Sequence, residues 1–131
     1  MAKLIQAIGV YAPRVEVMHT VQTRQIAEYI AGRSSLNRGE IEGVLREFNE
    51  ALVFFAKQGQ AVKLEGVGTF TPTIDLGGTL DIGFRLDTSI DGALNTVNAF
   101  TGDVTNRENI GRSSADLKAM WNAANPTDLI P

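Results

Sequence analysis

The cations of this chain, 12 lysines and arginines against 15 acids, are unevenly spaced. Lys63 and Arg85 flank a stretch without lysine or arginine, whose only charged residues are Glu65, Asp75 and Asp81. Each phosphate gripped by a protein needs a cation beside it, so that stretch offers a polyanion nothing. The absence of cysteine removes disulfides, thiolate nucleophiles and cysteine metal sites. The single histidine, His19, excludes a histidine-rich zinc or iron centre within one chain. Set among Val15, Val17 and Val21, it reads as a strand residue with a solvated or hydrogen-bonded ring. No carboxylate stands in a pattern with a histidine, cysteine or nucleophile, so no enzyme, metal or cofactor is expected. Gly66-Val67-Gly68 could be mistaken for a phosphate loop. A β-like Thr69-Phe70-Thr71 follows it, and the third glycine and the lysine are missing, so a bend between strands is the reading.

The chain has 131 residues, the size of one ordinary domain, and 44% of them are apolar, enough for a packed core. The net charge of -3 does not steer the molecule toward phosphate, so any anion site must be a local patch. No apolar run approaches the roughly 20 residues of a membrane span. Leu4 to Val10 is short and broken by Gln6 and Gly9, unlike a signal peptide. A soluble cytoplasmic protein is the expectation.

These residues must be positioned by elements the pattern announces. Residues 3–21 are rich in β-branched types, with Pro13 in the middle, and suggest two short strands or extended arms around a turn. Thr23 fits a helix N-cap, and Ile26, Ala27, Ile30 and Ala31 follow at helical spacing. Asn37 with Glu40 three residues on reads as a capping box. Beyond it Ile41, Val44, Leu45, Phe48, Leu52 and Phe55 form one helical stripe, and Gly59 is a left-handed C-cap. Glu42 and Arg46 could pair on the outer face of this helix. Val53 and Phe54 widen its apolar surface, so it needs a second neighbour, which a second subunit could supply.

After Gly59 the period changes to strands. Ala61 to Glu65 alternates, Thr69 to Ile74 resumes after the glycines, Gly77-Gly78 turns tightly, and Thr79 to Leu86 returns. Asp87 or Thr88 caps a short helix carrying Ile90, Ala93 and Leu94. Residues 96–112 are polar and turn-rich. Ser113 to Asp116 is a capping box for a last helix with Leu117, Met120, Trp121 and Ala124 on one face, stopped by Pro126. Trp121 reads as packing of that helix rather than as a stacking surface.

The run from Thr23 to Leu94 resembles the bacterial histone-like DNA-binding family of HU and integration host factor. The residues that carry the resemblance are Ile26-Ala27 and Ile30-Ala31, Leu36-Asn37-Arg38, the run from Gly59 to Phe70 with its Gly-x-Gly-x-Phe, and Phe84 followed by the helix from Asp87. It implies an α+β, HU-like fold of two helices, a three-stranded antiparallel sheet and a short third helix, in an intertwined homodimer. The expected division is an N-terminal extension over 1–22, an HU-like core over 23–95, and a loop and helix over 96–131 packed on that core. The resemblance also implies a nucleoid-associated protein that binds double-stranded DNA without catalysis, and without a membrane.

The chain departs from that family in its hairpin. Ile74-Asp75-Leu76-Gly77-Gly78-Thr79 turns at once, which leaves no long basic arm and no proline-bearing arm tip. Thr71 and Thr73 stand where the family is basic. Pro72 sits in a strand and marks an edge or a bulge. The cations left for phosphate contact are Arg24, Arg33, Arg38, Lys63 and Arg85, each of which could instead be an ordinary solvated charge. Two functions follow: sequence-tolerant DNA binding by a homodimer, or an HU-like scaffold that meets an unknown protein partner and has lost its DNA surface.

Overall fold

The computed structural model describes residues 2–131 and divides the chain into two compact units. The central unit is Thr20–Phe100. The terminal unit joins Met1–His19 to Thr101–Pro131.

Helix α1, Leu4–Tyr11, belongs to the terminal unit, so the central unit begins with α2. Helix α2 spans Thr23–Ala31 and α3 spans Arg38–Ala56. Thr23 is the first helical residue of α2 rather than its cap. The cap is Gln22, whose backbone N–H donates to Gln25 Oε1 at 2.9 Å. Helix α3 starts with half of the expected capping box: Asn37 Oδ1 accepts from the Glu40 backbone N–H at 2.8 Å, while the Glu40 carboxylate accepts from the Asn37 side-chain amide rather than from its backbone N–H. It ends in a left-handed turn. Gly59 has φ of 76°, the Gln60 N–H reaches the Phe55 carbonyl at 3.1 Å and the Gly59 N–H reaches that of Ala56 at 3.0 Å. That bond pair is the Schellman arrangement, and it places glycine where a side chain would be strained. Ala27 and Ile41 are buried where α2 and α3 pack.

Three antiparallel strands follow in the order β2-β3-β4: Val62–Leu64, Gly68–Ile74 and Leu80–Leu86. Phe70 lies against Phe48 of α3 with ring centroids 5.8 Å apart, and against Phe84 of β4 at 4.8 Å. The chain can cross at Gly68 because there is no side chain there. A Cβ at that position would lie 2.4 Å from the Arg85 carbonyl oxygen and 2.6 Å from the Phe84 ring. Asp87 accepts from the Ser89 backbone N–H at 3.1 Å and starts helix α4, Thr88–Leu94.

The terminal unit corrects one expectation. Residues 3–21 are not a pair of strands: Leu4–Tyr11 is helix α1, and only Arg14–Val15 forms a strand, β1. The β-branched Ile5, Ile8 and Val10 pointed to strands, but packing overrides propensity where a face is buried. Ala7 is fully buried, and Tyr11, one turn on, packs against the cluster of Ala2, Ala7, Leu117 and Ile130, as do Met120 and Trp121. Ala12 turns extended before Pro13, which ends the helix. The last helix, α5, Ser114–Ala124, packs on α1. Within the expected 1–22 extension and 96–131 tail, Met1–His19 and Thr101–Pro131 come together as one unit with a core of Ala2, Ala7, Leu117 and Ile130, while the remaining residues belong to the central unit.

The polar stretch before α5 holds this unit closed. Strand β5, Val104–Thr105, pairs antiparallel with β1 in the register Arg14↔Thr105 and Val15↔Val104. Asn106 Nδ2 donates to the carbonyls of Val10 at 2.8 Å and Ala12 at 3.1 Å, and Asn109 Nδ2 donates to that of Tyr11 at 2.7 Å. Three successive carbonyls at the end of α1, which its own helix cannot satisfy, are met by two amides from the other end of the chain.

Candidate nucleic-acid interface

The sheet of the central unit has two unlike faces. Phe70 turns toward α3, so alternation along the strand puts Thr69, Thr71 and Thr73 on the opposite, open face. Directly paired residues share a face. The register Lys63↔Thr69 and Thr69↔Arg85 therefore lines up Lys63, Thr69 and Arg85 as one row across all three strands. The next rows on that face are Thr71 with Gly83, then Thr73 with Asp81. The hairpin closes at once beyond Ile74↔Leu80: the Asp75 N–H donates to the Thr79 carbonyl at 3.1 Å, and Asp75 Oδ1 accepts from the Thr79 N–H at 2.9 Å. Charge along the open face runs from cationic at the strand base to anionic at the hairpin.

The five nominated cations do not form one patch. Arg24 Nε and Arg38 Nη1 both reach Glu28 Oε1, at 3.2 and 3.4 Å, and Arg38 Nε lies 3.8 Å from Glu42 Oε1. Glu42 is thus engaged by Arg38 and not by Arg46 as its spacing suggested. Arg33 stacks on the Tyr29 ring, 5.3 Å from its centroid, and donates to the Tyr29 hydroxyl. Exposed pairs of this kind contribute at most about 1 kcal/mol, so a phosphate can compete for these arginines, though against a partner already in place. Lys63 and Arg85 have no ion-pair partner within 4.0 Å among the described residues and lie in the same cross-strand row. Asp87 lies close enough to Lys63 to feel its charge. The Asp87 carboxyl is held below the usual carboxylate range first by the Ser89 hydroxyl, then by the Ser89 backbone N–H, and in smaller part by Lys63.

Thr69 is the member of this row that residue types do not announce. The clue is the register, which follows once Gly66–Gly68 is taken as the bend and Gly77-Gly78 as the turn. Asp81 has an effect of its own at the rim. Its Oδ1 accepts from the Ile82 N–H at 2.7 Å on the free edge of β4, which blunts that edge against pairing with another strand. Pro72 lies beyond the end of β2, where its missing N–H leaves no gap in the ladder.

Two helices, a three-stranded antiparallel sheet packed on the longer one, and a short capped helix after the last strand define an HU-like DNA-binding domain. The chain belongs to the family described as an HU domain fused to wHTH, Ig, or glycine-rich motif, whose model matches residues 8–83, more than half its length. No curated protein matches the chain. At the level of the family, the HU domain is a non-enzymatic, DNA-binding architectural fold. No helix among the described residues is long and apolar enough to cross a membrane.

Proposed function

We propose that this protein is a sequence-tolerant, architectural DNA-binding protein of the bacterial nucleoid that acts as a homodimer. The observation that carries the reading is the Lys63–Thr69–Arg85 row, two unpaired cations about a hydroxyl on the open face of an HU-like sheet. Its mechanism is phosphate contact, with Arg24, Arg33 and Arg38 at the helix ends as secondary cations. No helix or arm is available to read base edges, so sequence tolerance follows.

The dimer rests on surface left bare. Val53 and Phe54 of α3 stay exposed, and beside them a cleft of about 210 Å³ is walled by the apolar Val53, Ala56, Pro72, Leu80 and Ile82, with Lys57 and Asp81 as its charged members. Apolar surface of this extent on a small domain calls for a neighbour, and the family resemblance makes that neighbour a second copy.

The test is a mobility shift on a random-sequence duplex across a salt series. Binding at about 50 mM salt should weaken steeply as salt rises, and the pair Lys63→Ala, Arg85→Ala should flatten the slope by roughly two contacts per chain. Absence of a shift at low salt would overturn the reading in favour of a protein-interaction scaffold.

A further inference from the structure

The open sheet face carries opposite charge at its two ends, and this has a consequence for how much DNA the domain can hold. Resting on the DNA-binding reading above, we infer that Asp75 and Asp81 act as an electrostatic stop that confines a bound duplex to the strand-base end of the face. Asp81 stands opposite Thr73, four residues along β4 from Arg85. At the rise of an extended strand that is about 13 Å. This exceeds the roughly 10 Å over which exposed charges are screened at 0.1 M salt. The acids therefore do not cancel the Lys63–Arg85 row. They repel different phosphates, those of a duplex laid further along the sheet. Asp75 continues the same side of β3 past Thr73, so both acids fall at the hairpin end.

The two carboxylates can be neutralised without disturbing the turn. Asp75 uses Oδ1 to accept from the Thr79 N–H and Asp81 uses Oδ1 to accept from the Ile82 N–H, and an asparagine keeps an oxygen for each. The structural duties of both residues are served by an amide. The negative charge itself is left as the feature that acts on DNA.

The experiment compares the full chain with its Asp75→Asn, Asp81→Asn double variant on a 30-base-pair duplex, beside Asp103→Asn, Asp128→Asn as a control of equal net charge in the terminal unit. The expected result is a roughly three- to tenfold tighter complex for the hairpin variant at about 0.1 M salt. The gain should shrink as salt is raised, the hydroxyl-radical footprint should lengthen, and the control should match the parent. Equal affinity of parent and hairpin variant, or an equal gain in the control, would overturn the stop while leaving DNA binding intact. Binding by none of the three proteins would overturn the DNA-binding reading itself, and the stop with it.

Discussion

The terminal unit gathers its buried hydrophobics where its two segments meet, and the central unit leaves the face of its longest helix bare. The shorter terminal unit buries Ala2, Ala7, Leu117 and Ile130, and its two chain ends are clamped by the amides of Asn106 and Asn109. The longer central unit buries only Ala27 and Ile41 among its described hydrophobic residues, while Val44 remains 63% and Phe54 59% exposed. Small domains have little surplus core, so leaving aromatic side chains bare on the longest helix is costly unless something covers them. The contrast teaches that the two units meet the same requirement differently. One uses long-range contacts within the chain; the other leaves a helical face exposed, which the proposed dimer would cover.

The sharpest way to break that comparison is at the bare face. Phe54→Glu places a charge where the proposed dimer would exclude water, and burying an unpaired charge costs several kcal/mol. Light scattering at micromolar concentration should give a dimer mass for the parent and a monomer or aggregate for the variant. A parent of monomer mass would mean that the central unit is complete alone. Trp121, the only tryptophan, belongs to the terminal unit. Its fluorescence should stay native-like in the variant if the units are stabilised separately.

Much of the central unit is legible in the sequence because its signals are local. Asn37 and Glu40 are three residues apart, Gly59 ends the helix it follows, and Gly77-Gly78 turns a hairpin of adjacent strands. In the terminal unit the last helix is legible from its Ser113–Asp116 capping box, but α1 and its pairing with the far segment are not, for the opposite reason. Helix α1 is made by residues more than a hundred positions away, and its local composition argues for strands. The asparagines of 96–112 read as loop, yet two of them cap the carbonyls of α1 across more than ninety residues. The candidate site divides in the same way. The residue types Lys63 and Arg85 can be read directly, but that Glu28 engages both Arg24 and Arg38 depends on how α2 meets α3.

The next effect in size sharpens the comparison from the other side. Leu117→Ala removes a large side chain from the terminal core and should cost about 2–5 kcal/mol. Asn109→Ala should cost about 1–3 kcal/mol by leaving the Tyr11 carbonyl without its donor. Asn109 is only 2% exposed, so water cannot readily replace that bond. Both should lower the denaturation midpoint read by Trp121, whose indole N–H donates to the Asp128 carbonyl at 2.8 Å within the same unit. Neither should change the mass in light scattering or the salt slope of DNA binding. A loss of the dimer in either variant would show that the units are not separately maintained.

The smallest effect concerns a device both units share, a carboxylate at a helix start. Asp116 accepts from the Ser113 backbone N–H at 3.0 Å, while Ser113 Oγ accepts from the Asp116 N–H at 3.2 Å. The Asp116 carboxyl is held below its ordinary range first by that backbone N–H and then by the Ser113 hydroxyl. Asp87 is lowered likewise by Ser89 in the central unit. A carboxyl whose pKa is lower folded than unfolded stabilises above its unfolded pKa, and that stabilisation is lost as pH falls through the folded value. Acid should therefore weaken both units, in a window that opens near the ordinary carboxylate pKa and extends below it. Asp116→Asn should flatten the acid limb seen by Trp121 and leave that of the central unit, followed by DNA binding, unchanged. Asp87→Asn should do the reverse. If either substitution flattened both limbs, the acid response would belong to the whole chain, and the distinction between a self-closed unit and an open one would not extend to their titration.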